Sequence, residues 1–184
     1  ASSNTSVGYG ALEANTTGTG NNAFGAIALD ANTTGNYNVA IGDSALSAAT
    51  TASGNTAVGS AAATTITTGA NNTAIGLDAL QLCTVGHSNV AVGANCGDNI
   101  TEASFSTLLG MNIDAGAATT DNCNALGYAI SAVSGYTTIG IDTADIRAQH
   151  GVATWATVSD ERVKKDIEDS TVGLNFINDL RPVT

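Results

Sequence analysis

Short apolar segments recur along the chain, each followed by a glycine, and the pattern repeats every 17 residues. A further glycine, Gly140, follows the last regular one after 13 residues. Self-similarity at a fixed period is typical of repeat architectures, so the pattern predicts a stack of equivalent units over residues 1–144. The motif Asn-x-Ala-apolar-Gly places its glycines at Gly8, Gly25, Gly42, Gly59, Gly76, Gly93, Gly110 and Gly127.

Two further positions of the repeat keep their character. The residue before each glycine is apolar, from Val7 in the first unit to Ile139 in the last. Alanine stands three residues after most of the glycines, and later units replace it with the larger Ile113 and Ile130. We expect these apolar and small residues to line the inside of each unit.

Asparagine occupies the fourth position before the glycine, until Ser106 and Cys123 replace it. Stacked asparagine side chains can bond to one another or cap a turn, so we expect them to connect successive units. The six residues are Asn4, Asn21, Asn38, Asn55, Asn72 and Asn89.

Seventeen residues are too few for a strand, a helix and two loops. Glycine, threonine and asparagine, which recur in every unit, also disfavour a helix. The length fits two strands of four to five residues and two turns, with glycine supplying a positive φ at the corner. The sequence therefore predicts an all-β fold, a parallel β-roll or β-solenoid with 17-residue coils.

Such a narrow coil buries little apolar area against the conformational entropy that folding costs. Homo-oligomers commonly close with cyclic symmetry. We therefore expect several copies to associate through their apolar positions.

Composition and charge narrow the possible functions. Apolar residues make up 43% of the 184 residues but aromatic ones only 4%, and 5 basic against 16 acidic side chains give a net charge of −11. A strongly acidic chain does not suit nucleic acid, and no apolar run is long enough for membrane insertion. All five basic residues lie from Arg147 onward, which divides the chain into a repeat region, a neck at 145–158 and a C-terminal unit at 159–184.

Few residues in the repeat region have the spacing of a chemical site. Three cysteines without a CxxC pair, Cys83, Cys96 and Cys123, imply no disulfide framework or metal site, and Cys96 replaces a core alanine. His87 and His150 lack companions and are expected in loops. We expect no metal and no cofactor.

Aspartates recur in the repeat region and admit two interpretations. We expect them to keep the rod soluble and to discourage lateral aggregation. A bound cation is the alternative, since carboxylates and backbone carbonyls are oxygen ligands. The residues concerned are Asp30, Asp43, Asp78 and Asp114.

The repeats NYNVAIGDSAL, GNTAVGSAA and NNTAIGLDAL resemble those of trimeric autotransporter adhesin heads, and also segments of phage tail fibres. The resemblance covers residues 1–144, although the 17-residue period is longer than the repeat commonest in those heads. It implies a homotrimeric, left-handed parallel β-roll that serves as an extracellular binding or spacer element.

The segment from Ser159 to Thr184 resembles the start of the intramolecular chaperone of phage tail spikes and fibres, through its Ser-Asp-x-Arg-apolar-Lys and Leu-Arg-Pro-Val motifs. The resemblance implies that this unit trimerises the fibre and then cuts itself off. Ser159 would be the nucleophile and Lys164 the base, and Asp160 would begin the released fragment. From the pattern alone, Ser159 is instead the N-cap of a short helix whose first turn carries acidic residues.

Together these features predict a structural and adhesive segment of a phage tail fibre or similar virion appendage used for host attachment. Its partners would be two further copies in a homotrimer, other virion tail or fibre proteins, and a host-surface glycan or protein receptor. Apart from self-cleavage, no enzymatic activity is expected. The alternatives are a bacterial trimeric adhesin head at the cell surface and, third, an ice-binding solenoid. Thr-Thr-Gly tracts such as residues 16–18 are typical of turns, which argues against a flat threonine lattice.

Overall fold

The computed structural model describes residues 1–119 and 121–152, and the backbone of residues 155–158. This part of the chain is all-β without a helix and forms a parallel β-solenoid of about eight turns with coils of about 17 residues. The stack of equivalent units predicted from the repeat is confirmed. The strands are β1 (Thr5–Val7), β2 (Asn22–Phe24), β3 (Val39–Ile41), β4 (Thr56–Val58), β5 (Thr73–Ile75), β6 (Val90–Val92), β7 (Thr107–Met111), β8 (Asp114–Ala115), β9 (Asn124–Tyr128), β10 (Ser131–Ala132), β11 (Tyr136–Ile141), β12 (Ala144–Gln149) and β13 (Trp155–Val158).

One sheet runs the length of the rod in the order β1-β2-β3-β4-β5-β6-β7-β9-β11-β12-β13. Up to β11 its strands are parallel, and residues 17 apart are register partners in successive coils. Gly140 pairs with Gly127 although only 13 residues separate them, so the last coil is shortened without losing register. Strands β12 and β13 then add antiparallel and end the stack.

The expectation of a second strand in each coil is wrong for the first six coils. There the chain after the glycine follows a run of turns in which alternate residues have positive φ, such as Ser44 at 58° and Leu46 at 53°. The N–H of Leu46 bonds to Ala62 of the next coil, whereas that of Ala45 turns back to Gly42. Because only alternate N–H groups reach a neighbouring coil, no continuous strand forms. A second strand pair, β8 with β10, appears only in the later coils.

The glycine of each repeat has a backbone that other residues rarely adopt. Gly59 has φ of 139°, and a Cβ built on it would overlap the carbonyl oxygen of Gly76 in the next coil. Both the conformation and the close approach of the two backbones therefore require glycine.

The apolar residue before each glycine faces outward, so the expectation that it lines the coil is wrong. In β5 the middle residue, Ala74, is buried, while Thr73 and Ile75 lie on the outer face of the sheet. Side chains alternate along a strand, so only one of the three can point inward. The interior beneath the sheet is narrow, and alanine fills it.

Beneath the opposite side of the coil, large and small side chains compensate one another. One coil places Leu46 beside Ala49, and the next has Ala63 and Ile66 at the same two positions. All four are fully buried. Each coil therefore keeps a similar core volume, as close packing requires.

Replacing Gly59 by alanine is expected to lower the free energy of unfolding by roughly 4 kcal/mol or more, because its Cβ meets the next coil's backbone. Gly135 is the matched control, since its φ is also positive, at 73°, but nothing lies within 4 Å of a Cβ there. Gly135→Ala should cost only about 1 kcal/mol, the conformational penalty alone. Thermal unfolding followed by circular dichroism measures both, and equal losses would contradict the steric argument.

Candidate functional site

The most continuous surface feature is a row of apolar side chains, one per coil, on the outer face of the long sheet. At a strand spacing of about 4.8 Å the row extends for roughly 38 Å. Its most exposed member is Val7 at 58%, and Leu109 still exposes 37%. We call this row the apolar ladder; it comprises Val7, Phe24, Ile41, Val58, Ile75, Val92, Leu109, Leu126 and Ile139.

The sheet face around the apolar ladder carries no charge. The strands from β1 to β7, together with β9 and β11, contain no acidic or basic residue. Acidic residues such as Asp30 and Asp78 lie on the turn side of the coils instead. A long, neutral and apolar face on an otherwise acidic rod is typical of an association surface.

The apolar surface is widest near the C-terminal end of the described rod. There a second exposed apolar column flanks the apolar ladder, one residue after the glycine. It consists of Met111, Tyr128 and Ile141.

Buried asparagines hold the start of each strand in place. The backbone N–H of Asn55 donates to Asn38 Oδ1 at 3.0 Å, and its Nδ2 donates to the same oxygen and, at 2.9 Å, to the carbonyl of Gly69. Its own Oδ1 accepts the backbone N–H and the Nδ2 of Asn72. The same bonds recur from coil to coil along the column, which we call the asparagine ladder: Asn4, Asn21, Asn38, Asn55, Asn72 and Asn89.

The asparagine ladder ends where the sequence pattern degrades. Ser106 still donates its N–H to Asn89 Oδ1 at 3.1 Å. One coil later, the Cys123 thiol lies 3.2 Å from Ser106 Oγ. Both replacements are buried, so the column stays inside the coil although its side chains become shorter.

The first threonine of each Thr-Thr tract is also used in stacking. Thr33 Oγ1 donates to the carbonyl of Thr50 in the next coil at 3.0 Å, and Thr50 Oγ1 donates to that of Thr67. These hydroxyl protons are therefore bound within the protein. In the tract at residues 33–34, the second threonine, Thr34, is the exposed one.

The proposed self-cleavage residues, Ser159 and Lys164, lie outside the described residues, as do Asp160 and the expected C-terminal helix.

The three cysteines are buried, and none of them forms a disulfide bond. Burial raises the pKa of the Cys83 thiol to about 11 and that of Cys96 to about 12, and it also raises the pKa of Cys123. Protonated thiols are poor nucleophiles and poor metal ligands. Among the residues that the structure describes, no group of three or more His, Cys, Asp or Glu side chains could hold a metal ion.

The expectation that His87 lacks companions is wrong. Its Nδ1 lies 2.7 Å from Ser104 Oγ, and its ring contacts Phe105 with centroids 4.9 Å apart. His87 and Ser104 stand 17 residues apart, so the repeat itself could have placed them together. His150 is held by Thr137 Oγ1 at 3.2 Å.

Two carboxyl groups meet on the turn side, in the adjacent coils that carry Asp98 and Asp114. Burial, followed by a hydrogen bond to Asp98 and the charge of that residue, raises the pKa of Asp114 to about 6. These contacts favour the neutral form of the Asp114 carboxyl.

An ion pair closes the end of the described rod. Arg147, on β12, donates to Asp145 Oδ2 at 3.0 Å. The pair lies in an open cleft of about 300 Å³, which Ser131 and Thr143 also line. It covers the interior where the last coil would otherwise end against solvent.

Comparisons of the chain with protein-family models, with curated proteins and with solved structures found no match. Within the described ranges, no helix is long and apolar enough to cross a membrane.

Asn21→Ala and Asn22→Ala test the asparagine ladder with neighbouring residues of one type. Without its side chain, Asn21 would leave the buried N–H of Asn38 without its acceptor, at a cost of roughly 3 kcal/mol, and the carbonyl of Gly35 would keep only its donor Asn32. The side chain of Asn22 lies on the outer face, and its removal should cost less than about 0.5 kcal/mol. Urea denaturation reports both, and a small effect at Asn21 would refute the structural role of the ladder.

Asp114→Asn should remove a pH dependence of stability. Because the folded-state pKa of about 6 exceeds the ordinary 3.8, the folded chain binds this proton more tightly. The contribution of this carboxyl to the free energy of unfolding is therefore complete below about pH 4 and is lost as the pH rises through about 6. The variant should melt higher than the parent at pH 8, with a smaller difference at pH 4. Asp43→Asn, at an exposed position, controls for removal of one charge; if it matched Asp114→Asn, the paired carboxyls would not be the cause.

Proposed function

We propose that this chain is a structural and adhesive segment of a trimeric fibre, from a phage tail fibre or a similar virion appendage used in host attachment. The observation that carries the proposal is the uncharged apolar ladder along a whole side of the rod. Three copies would bring their ladders together around a common axis.

The shape of the coil supports association. Its interior is filled mainly by alanine and by one Leu or Ile per coil, and a further large apolar residue of each coil, such as Ile41 or Ile75, lies on the outer face of the sheet. Burying these residues against partner chains would add the apolar area that the single coil lacks. One apolar residue per coil, repeated at the strand spacing, matches a partner built on the same repeat.

Charge supports a specific direction of association. Acidic side chains on the turn sides repel other rods, while the neutral sheet face carries no such barrier. Copies would therefore meet at the sheet face and not at random. An acidic exterior is also suited to an extended particle that must stay soluble.

The mode of assembly rests on the resemblance of residues 159–184 to a fibre chaperone. In this proposal the chaperone brings three chains into register, and the Ser159 hydroxyl gives its proton to Lys164 and attacks the carbonyl carbon of the Ser159–Asp160 bond. The Asp160 amine leaves with that proton, and water hydrolyses the resulting ester. The product would end at Ser159, and Asp160 would begin the released fragment. Other virion proteins and a host receptor would be the remaining partners.

Light scattering of the purified chain tests the assembly. The expected native mass is three times the denatured mass of the chain, which is 18.2 kDa before any cleavage. Ile41→Asp combined with Ile75→Asp should convert the trimer to monomers, since charges on the ladder would be buried unpaired at the interface. Thr68→Glu is the matched control, because Glu102 already stands at that repeat position.

A monomeric parent chain would overturn the trimer. So would a double aspartate variant that stays trimeric, since the ladder would then not be the interface.

The mass of the denatured chain tests self-cleavage separately. A product ending at Ser159, absent from Ser159→Ala, would support it. An intact 18.2 kDa chain in both proteins would contradict cleavage of this chain and favour a helix-capping role for Ser159.

A further inference from the structure

One corner of the rod departs from the repeat pattern between Val85 and Phe105. At the second position of the Thr-Thr tract, Thr17, Thr34, Thr51 and Thr68 give way to the exposed Val85. Two residues on is the exposed His87, beside Phe105 of the next coil. We call Val85, His87, Ser104 and Phe105 the aromatic corner.

Phe105 is held in an unfavourable conformation. It has φ of 61° and exposes 56% of its surface. The same repeat position also has positive φ in the other coils, where glycine, serine or asparagine mostly occupies it. A bulky residue at positive φ is an outlier, and a strained, solvent-exposed aromatic ring contributes little to folding. The ring contacts that of His87 edge-on, and more than half of the Phe105 surface stays exposed, so the ring is accessible to a ligand.

The imidazole of His87 is fixed by its neighbours. Ser104 Oγ accepts the backbone N–H of His87 at 3.1 Å and lies 2.7 Å from its Nδ1. Ser104 is buried, and its own N–H donates to Asp121 Oδ1 at 2.6 Å. If the hydroxyl donates to Nδ1, the neutral ring carries its proton on Nε2. Within the described part of the chain, no hydrogen bond reaches Nε2, so this donor is available to a ligand.

The chemistry of the corner suits an uncharged sugar. An exposed aromatic ring can pack against the apolar C–H face of a pyranose, while a fixed imidazole and a carboxylate bond to its hydroxyls. Glu102 occupies the position next to Val85 in the following coil and supplies such a carboxylate. Residues 1–146 contain no Lys or Arg, so nothing at this corner would pair with a sialylated or sulfated glycan.

We propose that the aromatic corner is a receptor site for a neutral, hexose-terminated glycan, with Phe105 as the stacking platform and His87 Nε2 as a hydrogen-bond donor. The inference deepens the proposed adhesive function and rests on it for its biological use. The corner recurs once per chain, so a trimer would present three equivalent sites and bind a dense glycan surface through avidity.

Binding of the full chain to immobilised galactose-, glucose- and mannose-terminated oligosaccharides, beside sialylated and sulfated ones, tests the site. Phe105→Asn should reduce affinity for the bound neutral sugar about tenfold or more, and His87→Ala should also weaken it. Both substitutions copy residues found at the same repeat positions, Asn122 and Ala70, so folding should be preserved. Tyr37→Asn is the matched control, since Tyr37 has the same position and positive φ, and Thr19 stands where His87 would, one coil earlier.

Affinity lost in Phe105→Asn and retained in Tyr37→Asn, with unchanged melting and native mass, would support the site. Equal losses in the two variants, unchanged binding in Phe105→Asn, or preference for anionic glycans would overturn it. A change of native mass in Phe105→Asn would also overturn it, since the corner would then be an assembly contact. If the chain is a trimer that binds no neutral glycan, the glycan site is refuted and the fibre proposal stands. If the chain is a monomer that binds a neutral glycan through Phe105, the fibre proposal is refuted and the glycan site stands.

Discussion

Every part of this rod depends on the distance between successive coils, which is set by parallel backbone hydrogen bonding at about 4.8 Å. At that spacing a residue lies directly against its counterpart 17 positions later, so each position must accept its own kind as a neighbour. The strictest case is the glycine, where the carbonyl of Gly76 occupies the space of a Cβ on Gly59. The asparagine position satisfies the same condition through complementary donors and acceptors, as Asn55 does with Asn38 and Asn72.

The narrow coil separates structural residues from those available for function. Alanines such as Ala74 and buried asparagines occupy the interior, and the larger apolar residues such as Ile75 remain on the surface. The outer sheet face is therefore apolar because the interior has no room for those side chains. In the proposed trimer, these outward apolar side chains form the interface between the chains.

The period, the all-β class and the parallel stacking could be predicted from the sequence, because stacking makes the repeat visible. The outward direction of the apolar ladder could not be predicted, because an apolar residue such as Val58 fits the sequence pattern of a coil interior and that of an outer face equally well. The absence of a second strand could not be predicted either, because leucine rarely adopts a positive φ and Leu46 does so here. The contact of His87 with Ser104 was accessible by counting 17 residues, whereas the burial that raises the pKa of Asp114 required coordinates.

The asparagine ladder also gives the rod a polarity. From Asn21 to Asn89, each backbone N–H in the column donates to the asparagine side chain of the preceding coil, so these N–H bonds all point the same way along the axis. At one end stands Asn4, whose Oδ1 accepts the backbone N–H of Asn21 in the next coil. At the other, Ser106 and Cys123 shorten the side chains, and the antiparallel strands close the stack. The two ends of the described stack therefore differ in structure, with a regular parallel coil at one end and antiparallel strands at the other.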